Sequence, residues 1–530
     1  MSTEASSTRT IAVSPPEQLP ARRRLLTAIE SAYPVRFEPF REGSRPDGLI
    51  GFGMAPGASG PALLFSDASP EEGTDRAIVD LSGASDERLH ACPLEDGHLA
   101  LAPGLAPERG DQVAATAGGK PVWTLRDGKG GGTEVVMGRL PELQPGEALR
   151  DRLRAGRFFS LLPLVDFVRR LTDNGGWRAP DLRAQFMFDD PNLHWPSYGY
   201  IRYAELVERA RAGGFHVAIA MIPLDAWFAH RRAVGLFRDN PAALSLLMHG
   251  VLHEGPELMR PLSPSMIRAL IAQALRRVER FERQSGLGVA RIMVAPHGFA
   301  SEDWIRAQLE LGLEAQFSDW PFPWRPDGPP ADWTLAGWEG AQFVAGGFPI
   351  LPRHGIFLSP EELVLRAYLD LPLVVYGHHG DVRDGYERLE AIAGLVNRFG
   401  PVKWRSADRI ARSSFATRRD GGRLTVRLLS RCVDVEVPDG VARLCVDLPP
   451  VHGEGPALQL TVGGSRVPVQ PSPEGTRSEG FPVTPGRVTV RLETAVPAST
   501  ELSNPRPRVK PIARRLATEL RDRVSAIVLR

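Results

Sequence analysis

The sequence predicts an α/β protein whose parallel sheet, most simply closed as a (β/α) barrel, lies between a small N-terminal α/β domain and a C-terminal β-sandwich-like domain. Three patterns predict this class. Residues 11–141 hold short apolar runs separated by Gly/Pro/Asp-rich loops, and residues 186–376 alternate between apolar runs and helical periodicity. From Gly422 onward, apolar and polar residues alternate with period 2. We therefore expect four segments in this chain of 530 residues: 1–150, 151–412, 420–500 and a basic tail helix within 501–530.

The N-terminal segment is predicted from its short apolar runs, each bounded by turn-forming residues. These runs are Leu49–Phe52, Ala62–Phe65, Ala77–Leu81 and Val135–Met137. Apolar residues at helical spacing over Phe158–Leu171 predict a helix that connects this segment to the next. No chemistry is indicated here, and the role of residues 1–150 stays open.

The central segment repeats a strand-then-helix rhythm, which implies parallel strands joined by crossover helices. Strands are predicted at Phe186–Asp190, His216–Ile222, Leu244–His249, Val289–Ala295, Glu314–Phe317 and Leu371–Tyr376. The helices predicted between them are Tyr203–Ala212, Pro264–Gln284 and Trp304–Leu311.

In the C-terminal segment the strand-then-helix pattern gives way to short strands with period-2 alternation. Alternation in Leu424–Leu428 and Val488–Leu492, with Pro and Gly turns between, predicts a small β-sandwich. The basic tail ends in an amphipathic helix predicted over Ile512–Val528. We favour a helix that is solvated or packed on its own chain over one that contacts a partner.

Composition excludes several classes. A net charge of +1 gives no reason to expect nucleic acid or an anionic membrane as a partner. Three scattered cysteines cannot form a disulfide framework, and no run approaches the roughly 18 apolar residues of a membrane span. Met1–Pro20 has no apolar segment of a signal peptide, so we expect a cytoplasmic protein. Whether it forms a homo-oligomer stays open.

Polar residues follow one rule in the central segment: they fall just past the carboxyl end of a predicted strand. Barrels of parallel strands place their active sites at that end. The residues are Asp189, Asp190, His249, His297, Asp319, His378 and His379.

Two clusters among them suit a divalent metal. Asp189-Asp190 and the pair His249 and His253 together supply three ligands and one further carboxylate that can act as a base. The alternative is two ordinary histidines four residues apart on a helix or at the surface.

Five motifs, in this order, resemble those of the polysaccharide deacetylase (NodB-homology) family of carbohydrate esterases. They are Phe188-Asp189-Asp190, His249-x-x-x-His253, Ala295-Pro296-His297-Gly298, Phe317-Ser318-Asp319-Trp320 and Val375-Tyr376-Gly377-His378. The resemblance extends from Leu182 to Arg409 and implies a barrel of the deacetylase type.

The resemblance also implies roles. Asp190, His249 and His253 would bind the metal, zinc in the first instance, while Asp189 would act as general base and His378 as general acid. His379 is the alternative acid. The His297 backbone N–H would stabilise the oxyanion, although this residue can equally be a structural histidine.

Two departures from the family pattern concern the base. Pro191-Asn192 replace the usual Gly after the acidic pair, and Val294 and Ala295 occupy the place of an Arg that orients the base. Arg353 is the candidate to supply that cation from another loop.

Supporting residues are expected around the mouth of the barrel. Asn192, Asp319 and Trp320 are candidates, and the five tryptophans between residues 304 and 338 suit either stacking on sugar rings or packing of a long loop. These are Trp304, Trp320, Trp324, Trp333 and Trp338.

The sequence therefore predicts a metal-dependent hydrolase of C–N bonds other than peptide bonds. It would remove an N-acyl group, acetyl in the first instance, from an amino sugar in a glycan or its precursor. The alternatives are hydrolysis of a non-sugar C–N bond on the same barrel, and an inactive barrel that binds a glycan or a protein partner.

Overall fold

The computed structural model describes most of the chain. The described residues are 8–53, 60–66, 76–84, 86–97, 99, 104–126, 132–173, 176–319, 337–448, 451–452, 458–472, 475–494 and 509–528.

Within the described residues, the N-terminal sheet has nine strands, four neighbouring pairs of which are parallel and four antiparallel. In sheet order the strands are Val35–Pro39, Arg9–Ser14, Gly48–Phe52, Ala62–Ser66, Thr133–Met137, Lys120–Arg126, Gln112–Ala117, Ala77–Asp80 and Leu94–Asp96. Short helices Gln18–Ala21 and Arg23–Ala32 follow the first strand. The connecting helix is Leu162–Leu171, four residues shorter than predicted, since Pro163 occupies its first turn.

The central sheet, called the parallel sheet because all of its neighbouring pairs except Gln342–Val344 with Phe348–Pro352 are parallel, contains all six strands predicted in the central segment. In sheet order it runs His354–Gly355, Leu373–Gly377, Leu182–Asp189, Val217–Met221, Leu244–His249, Ala290–Val294, Ala315–Ser318, Phe348–Pro352, Gln342–Val344 and Val451–His452. Val402–Trp404 adds to the start of Leu182–Asp189. Every residue of Leu182–Asp189 is buried, as expected for a strand with neighbours on both sides.

Residues 348–355 pair with both outer strands of the run of parallel strands from Leu373–Gly377 to Ala315–Ser318. Phe348–Pro352 pairs with Ala315–Ser318, and His354–Gly355 pairs with Leu373–Gly377. One apolar cluster receives side chains from strands all along the sheet and from helix Ala407–Arg412. Its members include Met187, Ala218, Leu247, Ile292, Phe317, Leu351, Val374 and Ile410.

Helices pack against one face of the sheet: Tyr203–Gly213, Arg231–Asp239, Pro264–Ser285, Glu302–Glu310, Pro360–Tyr368 and Glu387–Val396. The longest begins where the Ser263 hydroxyl accepts a hydrogen bond from the Met266 N–H, and it ends at Gly286 with φ +72°. The core between this face and the helices is continuous with the core of the N-terminal sheet, since Phe65, Phe186 and Tyr368 belong to the same cluster.

The C-terminal region forms two β-sheets around one apolar core. The first comprises Phe415–Asp420, Arg423–Leu428, Arg443–Leu448, Gly475–Ser478 and Val469–Ser472, with Phe481–Pro482 at its side. The second comprises Cys432–Val437, Gly486–Thr494, Leu458–Val462 and Ser465–Val467. Cys92, Cys432 and Cys445 are free thiols.

The last element is a helix, Val509–Val528, which we call the C-terminal helix. It lies across the carboxyl edge of the parallel sheet, on the side where the polar motifs end their strands, and buries Arg515, Glu519 and Asp522 there. Within the described part of the chain, no helix combines the length and the apolar character needed to cross a bilayer.

Candidate metal centre and active site

Three predicted ligands come together at the carboxyl edge of the parallel sheet. Asp190 follows strand Leu182–Asp189, and His249 ends its own strand. One side-chain atom from each of Asp190, His249 and His253 lies within 4.8 Å of the other two. His253 Nε2 is 3.3 Å and His249 Nε2 is 3.8 Å from Asp190 Oδ1, near the roughly 3.3 Å between the ligand atoms of a tetrahedral zinc ion.

The loop between the two histidines is not helical, and a buried carboxylate holds its conformation. Glu257 is buried and accepts hydrogen bonds from the N–H groups of Val251 (2.5 Å) and Leu252 (2.9 Å). Gly250 has φ +59°, and a Cβ there would lie 2.2 Å from Glu257 Oε1. His253 itself has φ +54°. The pair is therefore not a helical i, i+4 pair.

The protonation state of the site suits a cation. His249 Nδ1 lies 3.3 Å from the Val294 carbonyl oxygen, which directs Nε2 toward Asp190. Burial, and then the charge of His253, hold the pKa of His249 well below its usual range, so the ring is neutral. Asp190 Oδ1 is buried and has no hydrogen-bond partner among the described residues. An orphaned carboxylate oxygen facing two imidazole nitrogens fits a divalent metal.

Asp189 is anchored by Arg353, a cation supplied from a part of the chain distant in sequence. Arg353 Nη1 donates to both carboxylate oxygens of Asp189 at 2.8 Å, and its Nε donates to Asp319 Oδ1 at 2.6 Å. The guanidinium carbon lies 3.9 Å from the centre of the Tyr376 ring, and the Tyr376 hydroxyl donates to Asp319 Oδ2 at 2.7 Å.

Arg353 reaches this position because it lies between the short strands Phe348–Pro352 and His354–Gly355. It is 1% exposed. Burial opposes its charge, but Asp189 and Asp319 together raise its pKa above the usual value. The structure thus brings Arg353, Asp189 and Asp319 into one buried network.

The two adjacent histidines face different surroundings. His378 is 52% exposed at the mouth of the site, and its backbone N–H donates to Asp381 Oδ2 at 2.7 Å. His379 lies between the rings of Tyr198 and Tyr200, and its Nε2 is 3.5 Å from Asp522 of the C-terminal helix. Only His378 presents its ring toward open space.

The remaining predicted residues divide into three groups. His297 is exposed, and its ring centre lies 6.0 Å from that of His253. Asn192 is buried, where its side chain donates to Asp225 Oδ2 at 3.4 Å and accepts from the His194 N–H.

Trp304 is buried in the core and donates to the Arg260 carbonyl, so it is a packing residue. Trp320, Trp324 and Trp333 lie outside the described residues.

Several residues at the site were not predicted. Asp225 forms a buried ion pair of 2.6 Å with Arg515, and Glu519 meets His194 Nδ1 at 3.0 Å. Glu257 was also missed. The only signal available was indirect: Asp225 follows a predicted strand as the other site residues do, and the tail helix has charges at positions 515, 519 and 522, on one face.

No family model matches the chain, and no curated protein matches it. Solved structures that it resembles include a Mycobacterium smegmatis protein assigned to the polysaccharide deacetylases, at 18% identity over 45% of this chain and 93% of that one, with a TM-score of 0.28.

Two further resemblances are of the same kind. A family 4 carbohydrate esterase from Streptomyces lividans, in complex with acetate, is 14% identical over 42% of this chain and 88% of its own, with a TM-score of 0.24. The Xyl-CE4 domain of a multidomain xylanase from the hindgut metagenome of Trinervitermes trinervoides is 11% identical over 42% and 87%, also at 0.24.

Proposed function

We propose that this chain is a metal-dependent hydrolase that removes an N-acyl group, acetyl in the first instance, from an amino sugar in a glycan or glycan precursor. The observation that carries the proposal is the grouping of Asp190, His249 and His253 beside the buried Asp189–Arg353 pair. We further propose that residues 348–355 close the parallel sheet into a distorted (β/α) barrel, because they pair with Ala315–Ser318 on one side and with Leu373–Gly377 on the other.

The metal site would be formed by Asp190 Oδ1 and one ring nitrogen each of His249 and His253. A divalent ion bound there, zinc in the first instance, would polarise the amide carbonyl and make water more acidic. The open side of the site faces the mouth, where His378 and His297 are exposed.

Asp189 would take the proton from the attacking water. Arg353 holds its carboxylate in one orientation. This matters because a general base must first lie within reach of the proton that it accepts. The His297 backbone N–H would donate to the developing oxyanion. His378 would donate a proton to the leaving amine, because an imidazole ionises near neutrality and this one reaches open space.

The test is acetate release from N-acetylglucosamine oligomers by the zinc-loaded protein. In Asp189→Asn we expect release to fall by about 10²-fold or more while the bound metal is unchanged. Asp384→Asn, which changes an exposed aspartate, serves as the matched control and should behave as wild type. Equal release from wild type and Asp189→Asn would remove Asp189 as the base. Release from simple N-acetyl amides but from no sugar would contradict the proposed substrate class.

A further inference from the structure

The C-terminal helix buries a charged face against the protein and exposes an apolar face, which is the opposite of a typical surface helix. Its charged side chains Arg515, Glu519 and Asp522 are 5%, 9% and 5% exposed against the mouth of the parallel sheet. Its apolar side chains point away from the protein, at spacings of three and four residues, and are 39–78% exposed. They are Val509, Ile512, Leu516, Leu520 and Val524.

Specific contacts keep the polar face inward. Arg515 pairs with Asp225 at 2.6 Å, Glu519 contacts His194 Nδ1 at 3.0 Å, and the Tyr198 hydroxyl donates to Asp522 Oδ2 at 3.1 Å. Turning the helix to bury its apolar face would leave the buried Asp225 carboxylate without its cation, which is costly. The outward apolar stripe is therefore a fixed feature of the surface.

Three large aromatic side chains extend this stripe. Trp195, Trp227 and Phe228 are 55%, 60% and 46% exposed. The Trp227 ring lies 4.8 Å from His194, which binds the C-terminal helix, and Arg523 of that helix lies over the Trp195 ring at 5.2 Å. We call these three aromatic residues and the five apolar residues of the helix the C-terminal patch. Exposed apolar residues that form a continuous patch mark an interaction surface.

A strongly basic cavity opens beside the patch. It has a volume of about 520 Å³, and Trp227, Ile512 and Leu516 line it together with Arg276, Arg277 and Arg280 of helix 264–285. Arg277 Nη1 is buried and has no hydrogen-bond partner among the described residues. The acidic groups of the lining, Asp225 and Glu519, are already engaged by Arg515 and His194. The cavity therefore favours an anion.

We propose that the C-terminal patch docks on the surface of an anionic lipid bilayer, with the three arginines of the cavity meeting lipid phosphate groups. Amphipathic helices bind bilayers through an apolar face flanked by basic residues, and tryptophan side chains favour the interface. Basic residues near the surface add attraction to anionic lipids. A net charge of +1 conceals this local excess of arginine, which is why composition gave no reason to expect it.

A second copy of the chain fits this surface less well. In a two-fold symmetric pair the same patch lies on both sides of the interface, so the arginines beside it would approach one another. Like charges that face each other across an interface disfavour association. The basic rim thus points to an anionic occupant.

Docking in this way would place the mouth of the candidate active site close to the bilayer. A lipid-linked amino sugar is then the substrate class that the site meets most readily. This consequence rests on the proposed function, whereas vesicle binding does not, because it is measured without turnover.

The experiment is sedimentation of the full chain with phosphatidylcholine vesicles that contain phosphatidylglycerol. We expect binding that weakens with salt and falls by roughly tenfold or more in the double variant Leu516→Gln/Leu520→Gln, both sites being exposed. The matched control is Ile78→Gln, which changes a 60% exposed side chain of the N-terminal sheet and should bind as wild type. Arg280→Gln should reduce binding to anionic vesicles, whereas Arg36→Gln in the N-terminal sheet should not.

Three outcomes would overturn the proposal. One is vesicle binding that is absent, or equal in wild type and the double variant, with unfolding midpoints unchanged. Another is a dimer by light scattering that the double variant converts to monomer, which would assign the patch to a second copy. The third is binding of free inorganic phosphate by the arginines without any binding to vesicles. Acetate release from a water-soluble substrate should be unchanged in the double variant, so failure of docking and failure of the proposed function are distinguishable.

Discussion

At the residue scale, Arg353 is the side chain on which the candidate site most depends. It is 1% exposed and neutralises two carboxylates, Asp189 and Asp319, which contact it at 2.8 Å and 2.6 Å. A buried pair that keeps both partners contributes little net stability, but removing one partner leaves an uncompensated charge. The position of Arg353 therefore links stability to the orientation of the proposed base.

Replacing Arg353 should therefore be costly. In Arg353→Gln we expect the free energy of unfolding to fall by about 3–5 kcal/mol, measured by urea denaturation, because two carboxylates lose their cation. Arg353→Lys should lose less stability but should still have low activity, since one ammonium group cannot hold both carboxylates as the guanidinium does. The control Arg209→Gln removes exposed ion pairs with Glu390 and Glu205, and it should leave the free energy of unfolding nearly unchanged. A loss in Arg353→Gln no larger than in this control would contradict the role of Arg353.

Individual site residues were predictable to the extent that they end a strand. Asp189, Asp190 and His249 do so, and the structure places them at one edge. Arg353 was a candidate only because this chain has Val294 and Ala295 where the family that it resembles has an arginine, so another residue was needed to supply that cation. Glu257 was not predictable, because it acts on backbone N–H groups of a loop whose conformation the sequence does not specify.

At the element scale, the loop from His249 to Glu257 sets the spacing of the two histidines. Glu257 binds two backbone N–H groups of the loop, and Gly250 allows the close approach of its carboxylate. A positive φ alone costs an L-residue about 1 kcal/mol. A Cβ at Gly250 would in addition clash with Glu257 Oε1 at 2.2 Å and with Pro296 Cγ at 2.6 Å.

Gly250 and Gly255 form a matched pair for testing this loop. Both have positive φ, +59° and +62°, but a Cβ at Gly255 meets nothing within 4 Å. We expect Gly250→Ala to weaken zinc binding by about 10-fold or more, measured by calorimetric titration, because the histidines move apart. Gly255→Ala should share the backbone strain and keep the zinc affinity. Equal affinities in the two variants would show that Glu257 does not shape the site.

Elements were predicted well where a strand is buried or a helix is capped. Leu244–His249 agrees with the prediction, and Pro264–Ser285 differs by one residue. The antiparallel strands Gln112–Ala117 and Lys120–Arg126 were missed, because their Ala, Thr and Lys residues carry little apolar signal and pairing with neighbours decides their state.

At the scale of the whole molecule, the C-terminal helix ties residues distant in sequence to the mouth of the site. The tail was predicted as a helix, but amphipathicity alone did not show which face it buries. Buried partners decide this, because Asp225 and His194 form ion pairs with the charged face.

Burial opposes the charge on His194, but Glu519 and the Asp225 carbonyl raise its pKa. The same contact lowers the pKa of Glu519 to about 2 against the effect of burial, and His379 and Arg521 likewise lower that of Asp522 to about 2.

These shifts predict a pH window for docking of the C-terminal helix. The His194 contribution is complete below its unfolded pKa of about 6.5 and is lost as pH rises through its raised folded value. The carboxylate contributions are complete above about pH 4.3 and are lost as pH falls toward 2. Hydrogen-exchange protection of residues 512–522 should therefore be highest between about pH 5 and 6.5. His194→Gln should remove the loss at high pH, with helix 387–396 as internal reference. Protection that does not change with pH would contradict this assignment.

The central claim, a metal site that serves hydrolysis, is tested most directly by titrating zinc into the metal-free protein. We predict one saturable site per chain, with affinity reduced by more than about 100-fold in His253→Ala and retained in Asp189→Asn and His297→Ala. The last variant removes a neighbouring histidine whose ring lies 6.0 Å from His253. No saturable binding, or equal affinity in wild type and His253→Ala, would contradict the account.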